Sequence, residues 1–239
     1  MKINLMHGDC LDLMKEIQDG SVDMILCDLP YGTTQNKWDS VIPFEPLWEQ
    51  YWRVLKRNGA VVLTASQPFT SALVMSQAKE FRYDLVWRKV RVTGHLNAKK
   101  MPLREHESVL IFYRALPTYT PQMLKGATHI RGPMGKSKVA TTNYGSFLDD
   151  SSRQYASDEY YPRSTFEFRS DMQPVHPTQK PVALMEYLIK TYTNPGETVL
   201  DNCMGSGTTG VACKNLNRKF IGIEKDDKYF EIAKERILK

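Results

Sequence analysis

Cysteine is scarce in this chain, and none of it is paired for a metal. Cys10, Cys27, Cys203 and Cys213 form no Cys-x-x-Cys unit, so a zinc site is not expected. So few cysteines, unpaired, point to a reducing compartment, the cytoplasm. No apolar run approaches the roughly 20 residues of a membrane span. A signal peptide is not expected either, since Met1 leads straight into a mixed segment holding His7, Asp9 and Asp12. No Gly-Lys-[Ser/Thr] sequence follows the glycine-rich stretch near the far end, which excludes a Walker phosphate loop. No internal repeat is present. Excess charge is also lacking: a net +5 permits a polyanionic partner without demanding one.

What remains is an ordinary α/β composition. A chain of 239 residues, 41% hydrophobic and 25% charged, is long enough to bury a sizeable core. Lys2 to Met6 reads as a strand, and Leu11 to Gln18 as a short helix with Leu11, Met14 and Ile17 on one face. Val22 to Cys27 is apolar enough for a strand buried on both faces. Leu47 to Leu55 is expected to be helical and to stop at Asn58-Gly59. Ala60 to Ala65, Tyr83 to Arg88 and Ser108 to Tyr113 read as strands, and Phe69 to Ala78 as a helix. Pro181 suits a helix start, and Leu184, Met185, Leu188 and Ile189 form a helical stripe. Strands at Thr198 to Leu200 and Lys219 to Ile223 then alternate with helices at Thr208 to Asn215 and Tyr229 to Leu238. Alternation of this kind argues for a mostly parallel sheet.

Two stretches break the regularity. Arg88, Lys89, Arg91, Lys99, Lys100 and Arg104 crowd one short basic segment, either a solvated face or a surface for nucleic acid. From Ala115 to about Met172 no helical or strand period is sustained. A stretch of that length is functional or disordered, and Tyr119, Tyr144, Tyr155, Tyr160 and Tyr161 argue against a plain linker.

Near the far end, Gly205-Ser206-Gly207-Thr208-Thr209-Gly210 follows a strand and opens a helix. Glu224 stands 19 positions after Gly205, close to the spacing of a carboxylate on ribose hydroxyls. This is a nucleotide-binding pattern, with a plain strand-to-helix turn as the bland alternative and a nicotinamide dehydrogenase as the rival. Position disfavours the rival. Only 15 residues follow Glu224, so further strands of such a sheet are expected from the N-terminal half, in permuted order. Near the start, Asp28-Leu29-Pro30-Tyr31 closes the buried strand Val22 to Cys27. A carboxylate, a stiffened backbone and an aromatic ring thus meet at a strand end, where open α/β sheets place their ligands.

The tetrad resembles the Asp-Pro-Pro-Tyr motif of DNA amino-methyltransferases, with Leu29 in place of the first proline. Asp201-Asn202-Cys203-Met204-Gly205-Ser206-Gly207-Thr208-Thr209 is similar to that family's S-adenosylmethionine loop. Gly8-Asp9, His106-Glu107 leading into Val109-Leu110-Ile111-Phe112, His176-Pro177-Thr178-Gln179-Lys180-Pro181 and Gly222-Ile223-Glu224 add four pieces in the right order. The order, tetrad first and glycine loop last, is that of the beta group. The resemblance covers about residues 4 to 114 and 174 to 236.

The resemblance implies a Rossmann-like methyltransferase sheet, circularly permuted. Residues 1 to 114 would be the catalytic half, 115 to 172 an inserted target-recognition region, and 173 to 239 the cofactor half. It further implies that Asp9 bonds the cofactor's adenine amine beside Cys10, and that Glu224 holds the ribose. Gly205, Gly207, Thr208 and Thr209 would lie along the methionine part. Asp201 would meet its ammonium and Lys180 its carboxylate, with Asp28 bordering both cofactor and substrate. Each has a bland counterpart: a turn for Asp9, a solvated charge for Lys180, a helix cap for Asp201, a strand-end turn with a packed ring for Asp28 and Tyr31.

An exocyclic base amine is a poor nucleophile because its lone pair is delocalised into the ring. Asp28 and the Leu29 carbonyl would each accept one amine hydrogen, Pro30 would restrain the backbone, and Tyr31 would stack on a base flipped out of double-stranded DNA. No metal is required. By family tendency an initial aspartate marks N6 of adenine, with N4 of cytosine as the alternative; a nicotinamide oxidoreductase and a non-catalytic nucleic-acid-binding module are more remote. The sequence leaves open a homodimer and an accompanying restriction endonuclease.

Overall fold

The computed structural model describes residues 2–33, 39–131, 138–141, 145–148, 155–169 and 179–239. The chain divides into two compact units, Met1–Thr120 with Arg163–Lys239, and Pro121–Pro162. The larger unit begins β1 (Ile3–His7), α1 (Cys10–Leu13) with a 3-10 turn at Met14–Glu16, β2 (Val22–Cys27), α2 (Phe44–Val54), β3 (Leu55–Ala65), α3 (Phe69–Ser76), β4 (Phe81–Thr93) and β5 (Arg104–Phe112). The smaller unit carries β6 (Leu124–Arg131), β7 (Lys138–Thr141), β8 (Gly145–Leu148) and β9 (Tyr155–Tyr160), paired antiparallel as β6 with β9 and β7 with β8. The larger unit resumes with β10 (Thr165–Phe168), α4 (Val182–Tyr192), β11 (Thr198–Asp201), α5 (Thr208–Asn215), β12 (Lys219–Glu224) and α6 (Asp227–Leu238).

Eight strands of the larger unit form one sheet in the order β1-β12-β11-β2-β3-β5-β4-β10. All pairs are parallel except those of β5, which runs antiparallel to β3 and β4. Side chains alternate across a sheet, and here the alternation sorts the strands into two cores. Val61, Leu63 and Ala65 of β3, with Leu110 and Phe112 of β5, pack against α2 and α3. Ala60 and Val62, with Val109 and Ile111, pack against α4 on the other face. Both faces are covered, which is why these strands read as continuous apolar runs rather than alternating ones.

Four sequence readings differ from the structure. Asn58-Gly59 does not stop α2. The helix ends at Val54 because Leu55, only 6% exposed, pairs with Val22 and is drawn into the core as the first residue of β3. Gly59 lies inside β3, where a Cβ would come 2.8 Å from the Asp23 carbonyl oxygen. The irregular pairing of β2 and β3 there admits only glycine. The helix read over Leu11 to Gln18 is shorter, a single α turn closing in 3-10 form. The basic segment is largely a long β4–β5 hairpin, not irregular chain; its strands extend beyond the apolar core, so neither end has hydrophobic alternation to betray it. Finally, the stretch 115–172 holds strands after all. β6 and β9 are mostly exposed, so no buried face imposes a period of two. Of that stretch, β10 and its flanks belong to the larger unit.

Candidate active site

The sheet changes winding direction between β11 and β2. From β11 the chain crosses by α5 to β12 on one side, and from β2 it crosses by α2 to β3 on the other. Carboxyl ends of strands flanking such a switch point border the crevice where α/β sheets bind ligands. Asp28 follows β2 and Asp201 ends β11. Glu224 ends β12 beside them, and Asp9 follows β1 after Gly8, whose amide donates to the Glu224 carbonyl at 2.9 Å. Residues as distant in sequence as Asp9 and Glu224 thus share one rim because four parallel strands end there.

The glycine loop is held from three sides. Glu224 Oε2 accepts from the Gly205 amide at 2.8 Å, while Oε1 accepts from the amides of Lys225 and Asp226. Asp201 is buried, and its two oxygens accept from the Cys203 amide at 3.1 Å and the Thr209 hydroxyl at 2.6 Å. Burial raises Asp201 to about 7 in spite of those bonds. Asn202 accepts from the buried Tyr51 hydroxyl of α2 at 2.6 Å, and Arg236 of α6 donates to Ser206 Oγ at 2.9 Å. Gly207 has φ +80°, and a Cβ there would come 2.9 Å from Ala233 Cβ, so the loop lies directly on α6. Thr208 and Thr209 are buried at the start of α5. An amide-lined loop opening a helix is suited to a nucleotide or a small charged ligand.

Asp9 caps α1 through the Leu11 amide at 3.0 Å, and its other oxygen takes Lys225 Nζ at 3.0 Å. The Lys225 hydrogen bond holds its carboxyl below the usual range. Cys10 is buried, and its hydrogen bond with Cys203 draws its thiol down.

The tetrad forms the other wall. Leu29 is 4% exposed and packs into the α2 side of the core, which accounts for an apolar side chain at that place. Tyr31 stacks on Phe69 with ring centroids 5.1 Å apart, and the Lys180 ammonium lies 5.7 Å from its ring centroid. Its hydroxyl donates to Asp28 Oδ1 at 2.7 Å, and so does that of Thr64 on β3. Burial, reinforced by the Asp28 and Glu107 charges, pushes the Tyr31 hydroxyl well above its ordinary value. After the tetrad, Asp39 accepts from the amides of Gly32 and Thr33.

Lys180 lies in this wall too. Its ammonium is engaged with Asp28 Oδ2 at 2.6 Å and Glu107 Oε2 at 3.4 Å. Burial alone would lower Lys180, but the two carboxylates carry it above its ordinary value, so it stays charged. Neither is it a solvated charge, since its side chain is 8% exposed. Asp201, similarly, spends both oxygens inside the loop and is no simple helix cap.

Lys89, expected on the surface for nucleic acid, has partners within the protein. Its ammonium pairs with Glu107 Oε1, and it lies 5.6 Å from the Trp87 ring centroid. Trp87 faces Glu107 across the β4–β5 pairing, so Lys89, two residues on, points to the same face. Arg88, Arg91, Lys99, Lys100 and Arg104 are exposed. Sequence reasoning assigned no role to Thr64, Glu107, Tyr51 or Arg236. Glu107 carried a signal, a carboxylate running into the apolar strand Val109 to Phe112. Trp38, His176, Pro177 and Thr178 lie outside the described residues, as does Tyr144.

Comparison with known proteins agrees with this geometry. The N6/N4 DNA methylase family model matches residues 22–235. The chain is 27% identical to the type II methyltransferase M.HpaI of Haemophilus parainfluenzae, over 99% of this chain and 74% of that protein. It is 28% identical to the DNA adenine methyltransferase YhdJ of Escherichia coli K12, over 98% of this chain and 82% of that protein. The crystal structure of an M1.HpyAVI–SAM complex superposes with a TM-score of 0.66 at 27% identity, covering 98% of this chain and 99% of that one. The PvuII cytosine-N4-specific DNA methyltransferase shares the fold, with a TM-score of 0.69 at 15% identity, over 100% of this chain and 87% of that one. With a crevice built from a carboxylate tetrad and a glycine loop, and a family match spanning nearly the whole chain, this protein belongs to the N6/N4 DNA methylases.

Proposed function

We propose that the protein transfers a methyl group from S-adenosylmethionine to the N6 amine of an adenine flipped out of duplex DNA. The observation that carries the reading is the placement of Asp28 and Tyr31 at the switch-point crevice beside the Glu224-held glycine loop. When bound, S-adenosylmethionine supplies an electrophilic methyl carbon on its sulfonium. The residues named above fit it: the backbone amides and hydroxyls of the Gly205–Thr209 loop are suited to its amino-acid part, and the carboxylates of Asp9 and Glu224 are suited to the adenosine.

The chain's work is then to localise the amine's lone pair and hold it in line. Asp28 accepts one amine hydrogen and the Leu29 carbonyl the other, and the carboxylate's hold strengthens as positive charge grows on nitrogen. Nitrogen gains a bond to the methyl carbon, sulfur loses one and becomes a thioether, and the surplus amine proton leaves by way of Asp28. Alignment supplies much of the rest. Adenine is supported over cytosine by the initial Asp28 and by the adenine specificity in the name of YhdJ, at 28% identity; the cytosine-N4 enzyme resembles the chain in fold alone.

The exposed Arg88, Arg91, Lys99, Lys100 and Arg104 are suited to phosphates, and the region 115–172 is our candidate for target recognition. A partner restriction endonuclease is supported by the type II name of M.HpaI. Among the described residues no helix is long and apolar enough to cross a membrane, in keeping with action on DNA in the cytoplasm.

The test is to methylate a mixed-sequence duplex, digest it to nucleosides and weigh them. N6-methyladenine is expected, while N4-methylcytosine alone would overturn the choice of base. Asp28→Ala should bind the cofactor and lower turnover by about 10²–10⁴-fold.

A further inference from the structure

Asp28 does not stand alone at the strand end. Period-two alternation puts Thr64 on the same face as Ala60 and Val62, and Glu107 on the same face as Val109 and Ile111. Lys180 enters from just before α4, which covers that face. The outcome is a chain of alternating charge: Lys89, Glu107, Lys180 and Asp28, each in contact with the next. The two inner members are largely withdrawn from solvent, at 12% and 8% exposure. Buried ions in such a row hold one another in place, since removing one strands its neighbours.

The row divides the labour of Asp28's two oxygens. Oδ2 is bound to an ammonium that cannot withdraw without leaving a buried charge unpaired. Among the described residues Oδ1 is met by neutral hydroxyls, those of Tyr31 and Thr64, and that of Tyr31 belongs to a residue whose ring can stay stacked if the bond is given up. Neutral hydrogen bonds yield more readily than charge-assisted ones.

Resting on the methyl-transfer reading, we infer that Glu107 and Lys180 are positioning residues for Asp28. They commit Oδ2 to an internal ion pair and leave Oδ1 as the oxygen that receives the target amine, in place of the Tyr31 hydroxyl. Glu107 has a second effect. By sharing Lys180 it keeps that cation from pairing with Asp28 alone. Among the described residues, Tyr31 from the tetrad, Lys180 from ahead of α4, and Asp201 and Cys27 from the neighbouring strand ends interact electrostatically with Asp28, and Glu107 from β5 acts on Tyr31 and Lys180.

Opposite charge changes should move the activity in opposite directions along pH. The full chain and its Glu107→Gln and Lys180→Gln variants are assayed for methyl transfer to duplex DNA across the acid and neutral range, with S-adenosylmethionine binding measured by calorimetry. Glu107→Gln should bind the cofactor as the wild type does, and both variants should turn over about 100-fold more slowly, the scale of a small misplacement. The acid limb of kcat should move to lower pH in Glu107→Gln, where Lys180 serves Asp28 alone, and to higher pH in Lys180→Gln. A purely structural role would not oppose the two shifts. Should Lys180→Gln fail to fold, the near-isosteric Glu107→Gln decides by itself. An acid limb unmoved in Glu107→Gln overturns the inference while the wild type's activity leaves methyl transfer standing. A wild type that transfers no methyl to DNA overturns both.

Discussion

Glu224 Oε2 lies 2.8 Å from the Gly205 amide nitrogen, closing the end of β12 onto the glycine loop. The same carboxylate also receives the amides of Lys225 and Asp226, so it holds the chain after β12 as well as the glycine loop. Glu224→Ala releases all three donors and removes the acceptor proposed for the ribose. Calorimetry with S-adenosylmethionine should show a loss of about 1–3 kcal/mol in binding free energy. Unchanged affinity would place the ribose elsewhere.

Asp201 makes stability depend on pH. Its folded value of about 7 lies above the usual carboxylate value, so between about pH 4 and 7 the unfolded chain ionises and the folded one resists. The folded state binds the extra proton there, and Asp201's contribution therefore weakens as pH rises through that window. Asp201→Asn keeps the shape and can still accept from the Cys203 amide. Denaturant midpoints measured across the window should fall less steeply in this variant than in the wild type.

Tyr31 offers the two halves of its side chain to different tasks. Tyr31→Phe keeps the stack on Phe69 and deletes the hydroxyl on Asp28 Oδ1, and turnover should stay within about tenfold of wild type if that bond is the one surrendered. Tyr31→Ala also deletes the ring, and binding of duplex DNA should weaken by about 1–3 kcal/mol, the worth of one base–aromatic stack. Equal losses in the two variants would mean that the hydroxyl is the part that matters.

The basic hairpin separates into two kinds of cation. Lys99 and Lys100 are exposed, whereas Lys89 is paired with Glu107. Lys99→Gln and Lys100→Gln should each flatten the dependence of log affinity on log salt by about 0.9 for every phosphate contact removed. Lys89→Gln should leave that slope alone and lower turnover instead. Filter binding over a salt series, alongside initial rates, distinguishes the two.

Local chemistry made much of this protein legible in its sequence. Val22 to Cys27 is buried on both faces, so its apolar character shows without any partner, and Thr208 to Asn215 starts where Gly207 needs a left-handed turn. The tetrad and the glycine loop are contiguous, and contiguous motifs carry their geometry with them. What the tertiary structure alone decided is which charges meet. Lys180 and Asp28 are 152 positions apart, and no spacing rule links them; they touch because α4 covers the face on which β3 and β5 present Thr64 and Glu107. Lys89 looks like its basic neighbours in sequence, yet the β4–β5 register turns it inward to a carboxylate. A residue's charge is written in its side chain, whereas its partner is set by sheet register and by the helix that closes over it.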